Sequence, residues 1–178
     1  MLIALLVIVV AIAALLAYAA IQAPTFRYER SARISAPVPR IVALIDDFHA
    51  WQTWSPWEKL DPALERSYGG APSGRGATYA WVGRKAGTGH MTITAETVDT
   101  SRATLVIQLD FIKPFKANNI AEFVLMAGPG GTEVQWSMYG PRPFVSKLMG
   151  VFIDFDKMVG KDFEAGLAAM KRLAEQPA

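Results

Sequence analysis

The feature that most constrains the fold of this chain is a change in hydrophobic period along it. Apolar and polar residues alternate in TFRYERSARIS (25–35), and again from residue 64 in LERSYG, ATYAWV, HMTITAETVD, RATLVIQLDF, AEFVLMA and TEVQWSMYG. Such alternation indicates half-buried β-strands. Because short turns such as Asp99-Thr100-Ser101 separate most of these segments, the sequence predicts an antiparallel sheet of about seven strands.

Residues 146–175 have a helical period instead. One apolar stripe recurs every three or four residues and comprises Leu148, Phe152, Phe155, Val159, Phe163, Leu167 and Met170. This spacing predicts a single long amphipathic helix. A sheet must bury its apolar face against another element, and this helix is the only one large enough. We therefore predict an α+β fold in which a curved sheet wraps around the C-terminal helix and leaves a space between them.

Two short helices are predicted between the first strand and the rest of the sheet. Pro39 suits the first position of a helix, and Asp46 or Asp47 suits the cap of a second one. We expect Pro56 to end the second helix, because the residue before a proline is disfavoured in the α conformation.

The first 22 residues are predicted to form a transmembrane anchor. MLIALLVIVVAIAALLAYAAI contains no charge, glycine or proline. As a helix it would be about 32 Å long, which matches a hydrocarbon core of about 30 Å. A cleaved signal peptide is the alternative, since Ala17-Tyr18-Ala19 resembles a cleavage site, although no basic residue precedes the run.

The charges that follow this run predict its orientation. Arg27, Arg30, Arg33 and Arg40 come after it, and nothing basic precedes it. By the positive-inside rule, we expect a single-pass protein of the cell membrane whose soluble domain, residues 25–176, faces the cytoplasm.

Four segments of the soluble part resemble a known superfamily. They are APVPRIVALIDDFHAWQTWSPW, DPALERSYGG, GTEVQWSMYG and DFEAGLAAMKRL. The chain resembles START-like (helix-grip) proteins and, more narrowly, polyketide cyclase/dehydrase-type SRPBCC proteins, over residues 25–176. The resemblance implies the helix-grip fold. The superfamily includes lipid carriers, receptors and aromatic cyclases, and we match no catalytic residue of a cyclase onto this sequence.

Strand and helix periodicity predict which side chains face the space between sheet and helix. The candidate ligand-binding residues are Trp54, Trp57, Tyr68, Tyr79, Trp81, Met91, Trp136, Met138, Phe152, Phe155 and Asp156. An apolar pocket with a few polar groups is the usual form of a small-molecule site. A core filled by these bulky side chains is the alternative.

The stretch HAWQTWSPW contains three of the five tryptophans. One interpretation is that their rings plug one end of the fold and anchor the short helices, since each ring can bury about 150–250 Å². The other interpretation is that one or two of the rings form the mouth of the cavity.

Few residues suggest a particular chemistry. The chain has no cysteine, and His49 and His90 are its only histidines, so we predict no metal site and no cofactor. The net charge of +2 is small, and we predict no nucleic-acid binding. We expect binding of a lipid or another hydrophobic small molecule close to a membrane. A cyclase or dehydratase activity and a ligand-free protein-interaction module are the alternatives.

Overall fold

The computed structural model describes residues 1–61 and 63–177. Its elements are α1 Leu2–Ile21, β1 Thr25–Ile34, α2 Val38–Val42, α3 Trp51–Trp54, a 3-10 helix Pro56–Lys59, β2 Glu65–Gly70, β3 Ala77–Val82, β4 Thr88–Val98, β5 Arg102–Lys113, β6 Ala117–Gly128, β7 Gly131–Pro141, α4 Phe144–Met149 and α5 Phe155–Ala174. The α+β, helix-grip prediction is confirmed. Pro62, inside the segment DPALERSYGG, lies outside the described residues.

The strands form one antiparallel sheet in the order β1-β7-β6-β5-β4-β3-β2. Each strand from β2 onward pairs with the next along the chain, and β1 pairs with β7. A register shift between Ile93 and Ala95 bends β4, as an extra residue in one strand of a pair does. The alternating burial along the strands puts one apolar face of the sheet towards α5.

The strand registers define one end of the sheet that matters for the site. Thr25 pairs with Pro141, Thr88 pairs with both Val82 and Lys113, and Ala117 follows the turn after β5. We call this the α1 end, because α1 leads directly into β1 there. It also contains the turns 83–87 and 114–116 and the segment 142–153.

The prediction of one continuous helix over residues 146–175 is wrong in one respect, because two helices, α4 and α5, occupy this region. α4 ends at Met149, and α5 begins only at Phe155. Asp154 caps the new helix by accepting a hydrogen bond from the backbone N–H of Lys157 at 2.9 Å. This cap and the intervening turn reorient the chain, so the apolar stripe does not continue from Leu148 into α5.

Aromatic stacking joins α5 to the sheet near the middle of the helix. The ring of Trp136 lies between Phe123 and Phe163, with centroid distances of 4.9 Å and 4.2 Å. The approach is close because residue 166 is glycine: a Cβ there would lie 2.8 Å from Cζ3 of Trp136. Beyond this stack, Leu167 and Met170 are fully enclosed in the core.

An arginine on the apolar side of β1 is also explained by α5. Arg30 donates to the carboxylates of Asp156 at 3.1 Å and Glu164 at 3.0 Å. Its guanidinium lies over Gly160, where a Cβ would lie 2.0 Å from Nη2. These two ion pairs attach the first half of α5 to the edge strand of the sheet.

The N-terminal helix α1 is long and apolar enough to cross a membrane, a property that signal sequences share. Almost all of it is exposed, but Ala19 is fully buried near the point where α1 packs against α4. The backbone N–H of Arg142 donates to the carbonyl of Pro24 at 2.7 Å. This bond ties the end of α1 to the start of the segment that contains α4.

Candidate functional site

A cavity of about 290 Å³ lies between the sheet and the first half of α5. Predominantly apolar side chains line it, including Leu64, Leu109, Phe111, Ala121, Val159 and Phe163. The space exists because α5 is held to the sheet by the Trp136 stack and by Arg30, while small side chains such as Ala121 leave room between these attachments. Its volume is at the lower end of the range for small-molecule pockets, about 300 Å³ and upward.

Six of the eleven residues predicted for the site line this cavity together. They are Trp57, Tyr79, Trp81, Met91, Trp136 and Met138. They come from the 3-10 helix and from β3, β4 and β7, so strand parity places the sheet residues on the same face.

Two of the predicted residues pack beside the cavity without lining it. Trp54 is 1% exposed and belongs to the core. Tyr68 packs partly buried against Tyr79 and stacks on the imidazole of His49, with ring centroids 3.9 Å apart.

Phe152, Phe155 and Asp156 are not in the space between sheet and helix, contrary to the prediction. They line a separate cleft on the surface, together with Tyr28 and Arg142. Phe152 is 75% exposed. The physical reason is the break between α4 and α5: periodicity carried Phe152 onto the inward stripe of a continuous helix, and the chain turns away there.

The three tryptophans of HAWQTWSPW divide between the two interpretations. The indole N–H groups of Trp51 and Trp54 donate to the carbonyls of Ile45 and Leu44 at 2.8 Å and 2.6 Å, which anchors α3 to the turn after α2. Trp51 and Trp57 also line the cavity. The cluster therefore plugs one end of the fold and forms a wall of the cavity.

A buried carboxylate that the sequence analysis did not single out lies in the cavity wall. The side chain of Glu58 is 6% exposed and accepts a hydrogen bond from the hydroxyl of Tyr79 at 2.6 Å. Its other oxygen accepts from Nε of Arg66, also at 2.6 Å. Arg66 is itself fixed by donation to the carbonyl of Leu64 at 2.8 Å. This group of three is the main polar feature of an otherwise apolar site.

The environment of this group controls its protonation. Burial, and then donation to Glu58, raises the pKa of Tyr79 far above its usual value, so the hydroxyl keeps its proton and acts as a donor. The hydrogen bond and ion pair with Glu58 raise the pKa of Arg66. The arrangement therefore offers a fixed carboxylate beside a protonated phenol.

One buried polar atom near the cavity has no protein partner. Nε1 of Trp136 is buried and makes no hydrogen bond to any of the described residues. The atom has almost no accessible surface, so it lies behind the cavity wall and does not face the cavity. Within residues 1–61 and 63–177, no three His, Cys, Asp or Glu side chains lie close enough together to hold a metal ion.

Solved structures share this fold. Protein CV1439 from Chromobacterium violaceum aligns with 86% of this chain and 99% of its own at 14% identity and a TM-score of 0.56. The di-domain ARO/CYC protein BexL aligns with 87% of this chain and 52% of its own at 13% identity and a TM-score of 0.60. Ara h 8.0201 aligns with 84% of this chain and 97% of its own at 15% identity and a TM-score of 0.54. At these identities the likeness shows the fold alone.

No curated protein matches this sequence significantly. The family model described as polyketide cyclase / dehydrase and lipid transport matches residues 25–175. This match spans the whole sheet, the cavity lining and α5. The chain therefore belongs to the polyketide cyclase/dehydrase and lipid transport family.

Proposed function

We propose that this chain binds a hydrophobic small molecule, lipid-like in character, in the cavity between the sheet and α5, and that α1 tethers the domain to a membrane. The observation that supports this most is the apolar cavity of about 290 Å³. A ligand that hides about 300 Å² of apolar surface gains about 7 kcal/mol before the costs of association.

The proposed membrane location is supported by α1, whose length and composition suit a single span. We keep the prediction that the soluble domain faces the cytoplasm, on the basis of the arginines after the span. The third hypothesis, a ligand-free interaction module, assumed a filled core. The cavity removes that assumption.

The test is to identify what copurifies with the full chain and to fill the cavity by mutation. Ala121 is 4% exposed on β6 and lines the cavity, so Ala121→Phe places a ring inside it. Ala95→Phe makes the same chemical change at an exposed position of β4 and is the matched control. Both variants keep α1 and the lipids around it.

Detergent-purified proteins are extracted with organic solvent, and the extracts are compared by mass spectrometry. We expect a molecule present with the wild type and with Ala95→Phe to be absent with Ala121→Phe. Identical extracts from all three folded proteins would contradict the proposal.

A second candidate function is a cyclase or dehydratase reaction, and the group Glu58, Tyr79 and Arg66 favours it. A dehydration needs a base that removes a proton next to a carbonyl and an acid that protonates the departing hydroxyl. Glu58, in the cavity wall, is placed to take this proton and then return it to the departing hydroxyl, which leaves as water, while Tyr79 stays protonated and holds the carboxylate by its hydrogen bond. In the same experiment, we compare the extract of Glu58→Gln with that of the wild type. A compound in the variant extract that is heavier by one water than the compound in the wild-type extract would identify this activity.

A further inference from the structure

The exposed apolar side chains of the soluble domain are concentrated at one end. After α1, thirteen large hydrophobic residues of the described chain are exposed, and nine of them belong to the α1 end. The most exposed are Phe115 in the β5–β6 turn, at 74%, and Phe152 after α4, at 75%. Only Val98 and Met126 lie towards the opposite end. An exposed apolar concentration of this kind marks an interaction surface.

The charges of the two ends also differ. The turns 83–87 and 114–116 and the segment 142–153 contain basic residues and no acidic ones: Arg84, Lys85, Lys116, Arg142 and Lys147. At the opposite end, acidic and basic residues are mixed: Asp46, Glu96 and Asp99 lie with Arg75 and Arg102 around the 71–76 loop and the β4–β5 turn. A basic surface that carries exposed aromatic and aliphatic side chains fits an anionic bilayer.

The position of α1 indicates that the bilayer is the occupant. α4 packs against α1, and the Arg142–Pro24 backbone bond fixes the start of this segment to the end of the helix. When α1 spans a membrane, its last turn and the three residues that follow it lie at the headgroup level. The exposed residues of 142–153 are then continuous with the point where the chain leaves the bilayer.

The cavity opens at the same end. Among its lining residues, the exposed ones are Leu60, just before β2, and Lys85, in the β3–β4 turn. Lys85 belongs to the α1 end by the strand register, and Leu60 precedes a strand that starts there, since Glu65 pairs with Val82. The mouth and the exposed apolar residues therefore share one side of the domain.

We infer that the α1 end of the domain lies on the surface of an anionic membrane, with Phe115 and the 144–153 segment in the headgroup region, so that the cavity mouth faces the bilayer. A hydrophobic ligand then passes between the bilayer and the cavity without crossing bulk water. This inference rests on the proposed function for the ligand, but the contact with lipid is measured independently of it.

The chain has no cysteine, so one introduced cysteine gives a single labelling site. The test variants are Phe115→Cys and Phe152→Cys, on separate segments of the α1 end. The controls are Val98→Cys and Met126→Cys, which are exposed at 42% and 52% at the opposite end. Each full chain carries a polarity-sensitive nitrobenzoxadiazole label and is reconstituted into vesicles of phosphatidylcholine and phosphatidylglycerol.

Interfacial apolar segments lie about 5–10 Å into the headgroup and acyl boundary. We therefore expect labels at Phe115 and Phe152 to shift to the blue and to lose most of their emission to lipids spin-labelled near the headgroup. Labels at Val98 and Met126 should emit as in water and stay unquenched. Omission of phosphatidylglycerol should weaken quenching at Phe115, which lies between Lys113 and Lys116.

Equal, water-like emission from all four labels would overturn the inference. A blue shift at Phe115 and Phe152 without quenching by lipid would overturn it in favour of a second copy of the chain. Quenching that is undiminished without phosphatidylglycerol would refute the role of charge. If the labels contact water while the extracts still show a cavity ligand, this inference fails and the proposed function stands. If the labels contact lipid while the extracts show no cavity ligand, the membrane contact stands and the proposed function fails.

Discussion

The hydrogen bond between Tyr79 and Glu58 should contribute measurably to stability, and removing one oxygen tests this. Tyr79→Phe keeps the ring, which is 4% exposed, and deletes only the donor that lies 2.6 Å from the carboxylate. Glu58 then retains Arg66 as a partner but loses its second one in a site where water is largely excluded. Hydrogen bonds to charged groups contribute about 1.5–3 kcal/mol, so we expect the free energy of unfolding to fall by about that much.

Tyr68 offers a matched control. It lies directly opposite Tyr79 on the neighbouring strand, and its hydroxyl accepts a hydrogen bond from Nε2 of Gln52 at 2.7 Å. Both partners of this bond are neutral, and Gln52 is exposed, so water replaces the lost contact. Tyr68→Phe also keeps the stacking on His49, and we expect a change within about 0.5 kcal/mol.

The assay is urea unfolding of the full chain in mild-detergent micelles, followed by tryptophan fluorescence. With a slope of about 2 kcal/mol per molar urea, the loss in Tyr79→Phe corresponds to a midpoint lowered by about 1 M. The reasoning is refuted if the two variants lose equal stability, or if Tyr79→Phe unfolds at the wild-type midpoint. Either result would mean that the carboxylate does not depend on the phenol.

Two helix glycines and one aspartate give the remaining predictions, all measured by the same unfolding assay. Gly166→Ala presses a methyl group against the ring of Trp136 and should cost about 1–3 kcal/mol, because the stacked ring cannot move aside. In Gly160→Ala, the new methyl group contacts only the guanidinium of Arg30. The substitution should therefore destabilise the wild type, but it should stabilise the Arg30→Met variant by up to about 1 kcal/mol. Equal effects in both backgrounds would contradict this coupling. Burial, with nearby acidic groups, raises the pKa of Asp46 to about 6. The stability from its protonated form is therefore complete below about pH 4 and is lost as the pH rises through about 6. Asp46→Asn should gain stability relative to the wild type across that range, and a constant difference from pH 4 to pH 7 would refute it.

The sheet and most of the cavity could be predicted because alternation fixes the face of each side chain. Once a strand is assigned, parity puts Tyr79 and Trp81 on one face and His90 on the other, where it is exposed. Parity does not depend on knowing the tertiary structure. The same argument succeeded for Met91 and Trp136, which line the cavity from different strands.

The break before α5 was missed because apolar spacing continued across it. Leu148, Phe152 and Phe155 fit a helical stripe, and this pattern outweighed two local signals. Gly150 lies where α4 ends, and Asp154 is the residue type that caps a helix N-terminus. These signals place Phe152 in the loop between α4 and α5, where an exposed side chain is expected.

Glu58 was missed for a different reason: it lies in a 3-10 helix, where no periodicity assigns a face. Its partner did give a signal. Arg66 has the same strand parity as Tyr68, so its side chain projects to the inner face of β2. A charge on an inner face must be paired, because burial of a lone guanidinium is too costly.

The same argument applies to Arg30 on β1, and the two arginines show what the sequence cannot predict. Each inward arginine predicts a carboxylate near it, but sequence distance does not say which one. Arg66 is paired with an acid eight residues away, and Arg30 with two acids 126 and 134 residues away.

The ion pairs of the two arginines also differ in their exposure to solvent. The partners of Arg30 are more than half exposed, so those pairs fasten α5 to the sheet, whereas Glu58 is enclosed at the cavity wall. An enclosed ion pair is a costly way to obtain stability, since well-packed apolar side chains can replace such pairs without loss. Its position beside an apolar cavity supports our proposal that the site binds a ligand with a polar group, because Glu58 is the enclosed acceptor there.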